Sequence, residues 1–289
     1  MNLRGARPVP DKNIQQFITN QNLNSAIYDE TIRDTCVKRF LEWLNESKSN
    51  SISGLSSFSN INVCAGTIQA FDHFYWRHKN KRFRIFSGEF MYHNAVLKNG
   101  GHLLTINADT LRTGDAFILS IPFSDYGYVR SETRDCLVEC DRKNIPVLLD
   151  FAYLPASKNV CINLDDFNSI ETITFSLSKA FYGAEFLRIG FRMERTNFDD
   201  GIDVFNSVDM VNRHSLAVAK TYMDNFSIDY PWQTYEKVYK DICNELNLKE
   251  TDCIMFGHGD DNWSEYNRGT QVNRVCISDL IGEKINDKN

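Results

Sequence analysis

No apolar run in the 289 residues approaches the ~20 that a helix needs to cross a bilayer. The N-terminal stretch carries Arg4 and Arg7, but no apolar segment follows, which argues against a secretory leader. There is no Cys-x-x-Cys pair. Of the eight cysteines, at 36, 64, 136, 140, 161, 243, 253 and 276, only Cys136 and Cys140 lie close together, and zinc ribbons need tighter pairs. Cys64 and Cys276 sit inside apolar runs and read as small buried hydrophobes, so a reducing cytoplasm is the expected compartment. There is no basic excess either. Lys plus Arg is 32 against 38 for Asp plus Glu, a net charge of −6, which argues against a nonspecific nucleic-acid partner. No internal repeat is found. Hydrophobic residues at 42% and charged residues at 24% match a globular chain, which excludes dominant disorder and a small disulfide scaffold. The length suits two domains or one large one.

What is present is a change of texture along the chain. A helical pattern over 31–47, with Ile32, Cys36, Phe40 and Trp43 on one face, leads to a Ser/Asn/Gly-rich stretch at 47–60 that reads as a linker. From 61 to about 191, short apolar runs (61–64, 84–86, 102–106, 116–121, 147–151, 172–175) alternate with longer helical stretches. That is the pattern of an α/β fold with a mostly parallel central sheet and helices on both faces. Two long helical patterns follow, at 203–226 and 232–246. A strand pair at 253–256 and 273–278 closes the chain, and the tail from Gly282 reads as frayed. The expected division is a large domain over 52–228 and a small α+β domain built from 1–51 and 229–289.

Four stretches carry candidate chemistry. Ser176-Leu177-Ser178-Lys179 puts a lysine just past a strand's carboxyl end, where active sites of open α/β sheets lie. Such an amine forms Schiff bases once its pKa is lowered. Asp150 ends the apolar run Val147-Leu148-Leu149, where a buried acid needs a partner, and Tyr153 follows three residues later. Ala65-Gly66-Thr67 turns a strand into a helix with the small residues that a phosphate-binding helix N-terminus requires. Arg188-Ile189-Gly190 brings an arginine to the start of another apolar strand. Taken singly, each has an ordinary explanation: a surface lysine, a capping carboxylate, a helix cap or a snorkelling arginine.

Taken in order, with Ser87-Gly88-Glu89-Phe90-Met91-Tyr92 and Ile121-Pro122-Phe123-Ser124-Asp125-Tyr126-Gly127 between them, these stretches resemble the fold-type I pyridoxal-phosphate-dependent enzymes, in particular the aspartate-aminotransferase-like group. The resemblance covers roughly residues 60–192. It implies that Lys179 carries pyridoxal 5'-phosphate and shuttles the Cα proton. It implies that Asp150 pairs with the ring nitrogen, deepening the cofactor's electron sink, and that Tyr153 and Ser124 bond the 3'-oxygen. Phe90 is expected to stack on the ring, with Tyr92 as the fallback. Ala65, Gly66, Thr67, Ser176 and Arg188 are expected around the phosphate. Arg274, on a late strand, is the expected partner of the substrate α-carboxylate, with Arg268 as its rival. The family also implies a homodimer whose neighbouring subunit completes each pocket.

The chain departs from the pattern at Ser124 and Ile121, where the family has asparagines, and at Phe186, where it has glycine. These changes bear on the substrate pocket. The expected function is an aminotransferase moving an amino group between an amino acid or small amine and a carbonyl acceptor. A decarboxylase, a lyase and a catalytically silent protein of the same fold are the alternatives. No metal site is expected. His73 and His78 are five apart, and His258-Gly259-Asp260-Asp261 reads as a polar turn. The basic run 77–82 reads as a solvated loop.

Overall fold

The segment Asp115–Ser120 is buried at every position, and so is Val147–Asp150. Strands that are apolar on both faces have to be covered on both faces, and this requirement organises the fold. The computed structural model describes residues 3–97, 103–106 and 110–287. Its central sheet has seven strands: β2 (Asn60–Ala65), β3 (Arg82–Ile85), β4 (Leu103–Thr105), β5 (Asp115–Ser120), β6 (Val147–Asp150), β8 (Ile170–Ser176) and β9 (Ile189–Glu194). The order is β2-β9-β8-β6-β5-β3-β4. All neighbours pair in parallel except those of β9, which runs antiparallel to both β2 and β8. His102, the first residue of the expected strand 102–106, lies outside the described residues. Among the described residues, no helix is long and apolar enough to cross a membrane.

Helices α3 (Thr67–Arg77) and α4 (Met91–Leu97) pack Phe71, Phe74 and Leu97 on one face of the sheet. Helices α1 (Lys12–Thr19), α2 (Ile32–Asn45), α5 (Thr133–Lys143) and α8 (Arg213–Asn225) belong to a larger core with Ile14, Phe40, Trp43, Leu137 and Tyr222. Phe40 stacks on Phe191 of β9 with ring centroids 3.8 Å apart. A second core gathers Val9 with Trp232, Tyr239 and Ile242 of α9 (Tyr230–Glu245). It also holds the antiparallel hairpin β10 (Phe256–Gly259) and β11 (Asn273–Cys276), and Ile281 of α10 (Ser278–Asn286). Thus residues 12–45 pack with the sheet, and only the first residues of the chain join the C-terminal core.

Several local expectations need correction. The stretch 203–226 is not one helix. An Asp200 capping box starts α7 (Gly201–Ser207), Asp209 turns to φ 54°, and Asn212 caps a new helix, α8. Short polar side chains that bond nearby backbone break the helical run there. The strand expected at 253–256 lies at Phe256–Gly259, so His258 belongs to a strand and its Nε2 faces the Asp125 carbonyl. The tail beyond Gly282 is helical to Asn286, and a Cβ at Gly282 would stand 2.8 Å from Pro10 Cδ. The 47–60 stretch contains β1 (Ser51–Ser53), paired in parallel with β7 (Cys161–Asn163). The basic run is not simply solvated. Arg77 joins fully buried Arg192 in holding the carboxylates of Glu194, Asp200 and Asp203, while Arg82 and buried Arg84 pair with Asp115. Pairing of this kind offsets the cost of burying these charges.

Candidate active site

The carboxyl ends of β5, β6 and β8 deliver Ser120, Asp150 and Ser176 to one edge of the sheet, and the turn after β2 delivers Gly66 and Thr67. One cavity lies there. It is lined by Gly66, Thr67, Phe90, Ser124, Asp150, Tyr153, Ser176, Lys179 and Arg188, nine of the ten expected cofactor-binding residues. Ala65 borders instead the groove on the other side of Arg188. Arg274 stands behind Ser124, donating from Nη1 to its carbonyl at 2.7 Å.

The Gly66 turn is shaped by close backbone approach. Gly66 has φ 76°, and a Cβ on it would lie 2.6 Å from Arg188 Nη2. Arg188, itself at φ 54°, thus spreads its guanidinium over the glycine. A Cβ at Gly190 would stand 2.7 Å from the Gly66 carbonyl carbon, so the Arg-x-Gly pattern follows from the packing of β9 against the turn. Among the described residues Arg188 has neither hydrogen bond nor ion pair, an uncompensated cation beside a helix N-terminus. Ser176 Oγ faces Ser178 Oγ at 2.8 Å, and its oxygen also accepts from the Ser178 amide.

Asp150 is 5% exposed. Its Oδ1 accepts from Thr174 Oγ1 at 2.8 Å and from the Ala152 amide at 3.2 Å, and Oδ2 has no protein partner among the described residues. Burial pushes the carboxyl up to about 7, and the nearby Glu89 carboxyl adds to the rise; Thr174, the Ala152 amide and Lys179 oppose it. Glu89 is itself buried and raised by burial. It accepts from the Phe90 and Ser120 amides at 2.9 Å each and from Ser120 Oγ. Lys179 Nζ donates to the Ala6 carbonyl and lies 5.7 Å from the centre of the Tyr153 ring. Burial and the charge of Arg274 lower its pKa, the direction that makes a neutral amine available. Burial raises the Tyr153 phenol to about 12.

Phe90 stands with its ring edge-on to His93 and Phe71 and offset-stacked on Tyr92, with centroids 5.9, 6.4 and 6.3 Å away. Tyr92 bonds Asp72 and is not on the cavity wall, so of these two it is Phe90 that lines the cavity. Ser124 Oγ donates to the Gly88 carbonyl at 3.0 Å. Arg274 is 5% exposed. Besides Ser124 it reaches the Arg4 carbonyl, its Nε has no partner, and no carboxylate lies within ion-pair distance among the described residues. Arg268 instead faces Asp125 at 3.4 Å.

Sequence reasoning missed four participants: Glu89, Ser120, Ser178 and the N-terminal segment at Arg4–Ala6. Ser178 sat inside the quoted motif. Glu89 was signalled only by an acid set between glycine and phenylalanine. The reach of Ala6 to Lys179 had no local signal.

No protein-family model matches the sequence, and no curated protein sequence does. Solved structures are similar over nearly all of the chain. The pyridoxal-phosphate-bound C-S lyase of Staphylococcus hominis superposes with TM-score 0.70 at 12% identity, covering 99% of this chain and 86% of that one. Alanine aminotransferase from Pyrococcus furiosus gives 0.67 at 13% identity, covering 99% and 92%. L-threonine-O-3-phosphate decarboxylase from Porphyromonas gingivalis gives 0.61 at 18% identity, covering 95% and 93%. With the seven-stranded sheet, its single antiparallel strand and the cavity at the strands' carboxyl edge, the chain has the fold of the pyridoxal-phosphate-dependent fold-type I enzymes.

Proposed function

We propose that this protein is a pyridoxal-phosphate-dependent aminotransferase acting on an amino acid or small amine and a carbonyl acceptor. One observation carries the reading. A lysine of lowered pKa, an acid with one unpaired oxygen and an arginine without a counter-ion share a single cavity at the carboxyl edge of a parallel sheet. These residues fit the cofactor. Arg188 over Gly66 suits a phosphate, the free Oδ2 of Asp150 suits a protonated ring nitrogen, and Phe90 offers a ring face. Bound there, pyridoxal phosphate supplies a sink for the electron pair left when a bond at the substrate Cα breaks.

The chain's own groups do the rest. Asp150 would hold a proton on the ring nitrogen. Lys179 would tether the cofactor through its amine and, as a free amine, would be the base that takes and returns the substrate Cα proton. Tyr153 and Ser124 bond the 3'-oxygen. Thr67, Ser176 and the Gly66 backbone join Arg188 at the phosphate. Arg274, buried behind Ser124 with its Nε unpartnered, would take the substrate α-carboxylate once its side chain turns toward the cavity.

We further propose a homodimer. Phe186, Val204, Phe205, Val208 and Met210 expose apolar side chains, 48–76% accessible, around the groove beside Arg188, where a second subunit would close the phosphate side of the cavity. The free cysteines suit a reducing cytoplasm.

The test is spectroscopic. Protein loaded with pyridoxal phosphate should show a visible band, and borohydride should fix the cofactor on Lys179 by mass spectrometry. Amino donors should bleach the band, and a keto acid should restore it. Release of carbon dioxide, or of a fragment lost from Cβ, in place of that cycle would assign the decarboxylase or lyase reaction. No band would refute the reading.

A further inference from the structure

The wall of the cavity opposite the sheet is made by loops, and one buried carboxylate ties them together. Asp125 follows Ser124 in the turn after β5 and is wholly buried. Its Oδ2 accepts from Thr270 Oγ1, and its Oδ1 faces Arg268 Nη1 at 3.4 Å. Its backbone carbonyl lies 3.2 Å from His258 Nε2. The preceding carbonyl, that of Ser124, accepts from Arg274 at 2.7 Å. Gly88 closes on the same point, since a Cβ there would collide with Thr270 Cγ2 and approach Asp125 Cβ to 3.1 Å. Arg268 Nη2 extends to the Glu89 carbonyl at 3.5 Å. Four residues of the 256–274 segment, making five contacts, thus converge on the two loops that carry Ser124 and Phe90.

We propose that Asp125 is a positioning residue that seats the 268–270 loop and so fixes the free Nε of Arg274 relative to Lys179, which sets the reading of the substrate α-carboxylate. The inference rests on the reading of the site given above. Its physical basis is that a buried carboxylate without partners is costly. Asp125 is satisfied only when Thr270 and Arg268 are in place, so the loop has one favourable seat and not a range of them. Arg274 has no acid of its own to aim it. Its direction is set by two backbone carbonyls, and one of them precedes Asp125. Anion recognition by a guanidinium needs placement within about 0.5 Å, and an error near 1 Å costs on the order of a hundredfold. The Ser87 bond to the Gly269 carbonyl is exposed and a poor substitute. Asp125 does not line the cavity, and its link to Arg274 runs through the neighbouring Ser124 carbonyl and the 268–270 loop.

The experiment compares amino acids with amines that lack only the α-carboxylate: L-alanine with ethylamine, L-aspartate with β-alanine, and L-methionine with 3-(methylthio)propylamine. Dissociation constants come from perturbation of the visible band of full-length protein loaded with pyridoxal phosphate. Wild type should prefer at least one acid over its amine. Asp125→Asn should shrink that preference roughly ten- to a hundredfold, with the band and the affinity for the amines retained. Thr270→Val should shrink it in the same direction, and the double variant should be no worse than Asp125→Asn alone. If Asp125→Asn does not fold, Thr270→Val carries the test. Unchanged preference in the variants would overturn the proposal, as would equal weakening of acids and amines, or no preference in wild type. Loss of the band in wild type would instead overturn the functional reading, and this inference with it.

Discussion

Asp150 is placed to work against the fold until it has a partner. Removing its charge should reveal how strongly. In the folded chain burial pushes its carboxyl up to about 7, against 3.8 in an unfolded chain. A raised carboxyl pKa favours folding fully below the unfolded value, and that contribution is lost as pH rises through the folded one. At about 1.36 kcal/mol per pKa unit, the ionised carboxylate costs roughly 4 kcal/mol of stability above pH 7, an order-of-magnitude figure for a buried group. Asp150→Asn keeps the Thr174 and Ala152 contacts within reach and cannot ionise. Urea unfolding of cofactor-stripped protein should therefore show the variant and wild type alike near pH 4. By pH 8 the variant should be more stable by up to that amount. Other buried carboxyls titrate in both proteins and drop out of the difference, except Glu89, whose charge acts on Asp150. The same comparison in a Glu89→Gln background should show a smaller pH-dependent gap. Adding pyridoxal phosphate should close the gap in the other direction, because an ionised Asp150 then has a cation to meet. A stability difference that stays constant from pH 4 to 8 would refute the argument.

Lys179→Ala should abolish the visible band and move no borohydride-fixed cofactor to another lysine; label found elsewhere would displace the assignment. Arg188→Ala should weaken cofactor affinity by roughly 1.5–3 kcal/mol, the range for a hydrogen bond to a charged group, with little change in the position of the band, read by cofactor titration. Gly66→Ala should act in the same direction without touching any charge, because its methyl would displace the Arg188 guanidinium and strain a residue at φ 76°. Phe205→Asp combined with Met210→Glu should convert a dimer to a monomer by light scattering and lower cofactor affinity; a wild-type chain that is monomeric at micromolar concentration would remove the dimer from the reading.

Local pattern settled the elements that build the sheet and the groups at its edge. Apolar runs such as Phe117-Ile118-Leu119 and Val147-Leu148-Leu149, short and set between helical stretches, read as strands covered on both faces, and they are. Small residues at 66 and 190 mark a close approach that side chains would forbid. The placing of Gly66, Asp150, Lys179 and Arg188 followed from the same signals, because each sits at or just beyond a strand terminus: after β2, at the end of β6, three residues past β8 and just before β9. Tertiary structure alone decided what lies between those ends. Glu89 meets Asp150, Asp125 meets Thr270, and Ala6 reaches Lys179 across 172 intervening residues, because the strand order and the seating of the C-terminal hairpin bring distant loops together. Such contacts carry no periodicity, so a reading of neighbours along the chain does not contain them. The break at Asp209 and the helical tail past Gly282 belong with them. The first is settled by side chains that bond local backbone, and the second by packing on Pro10.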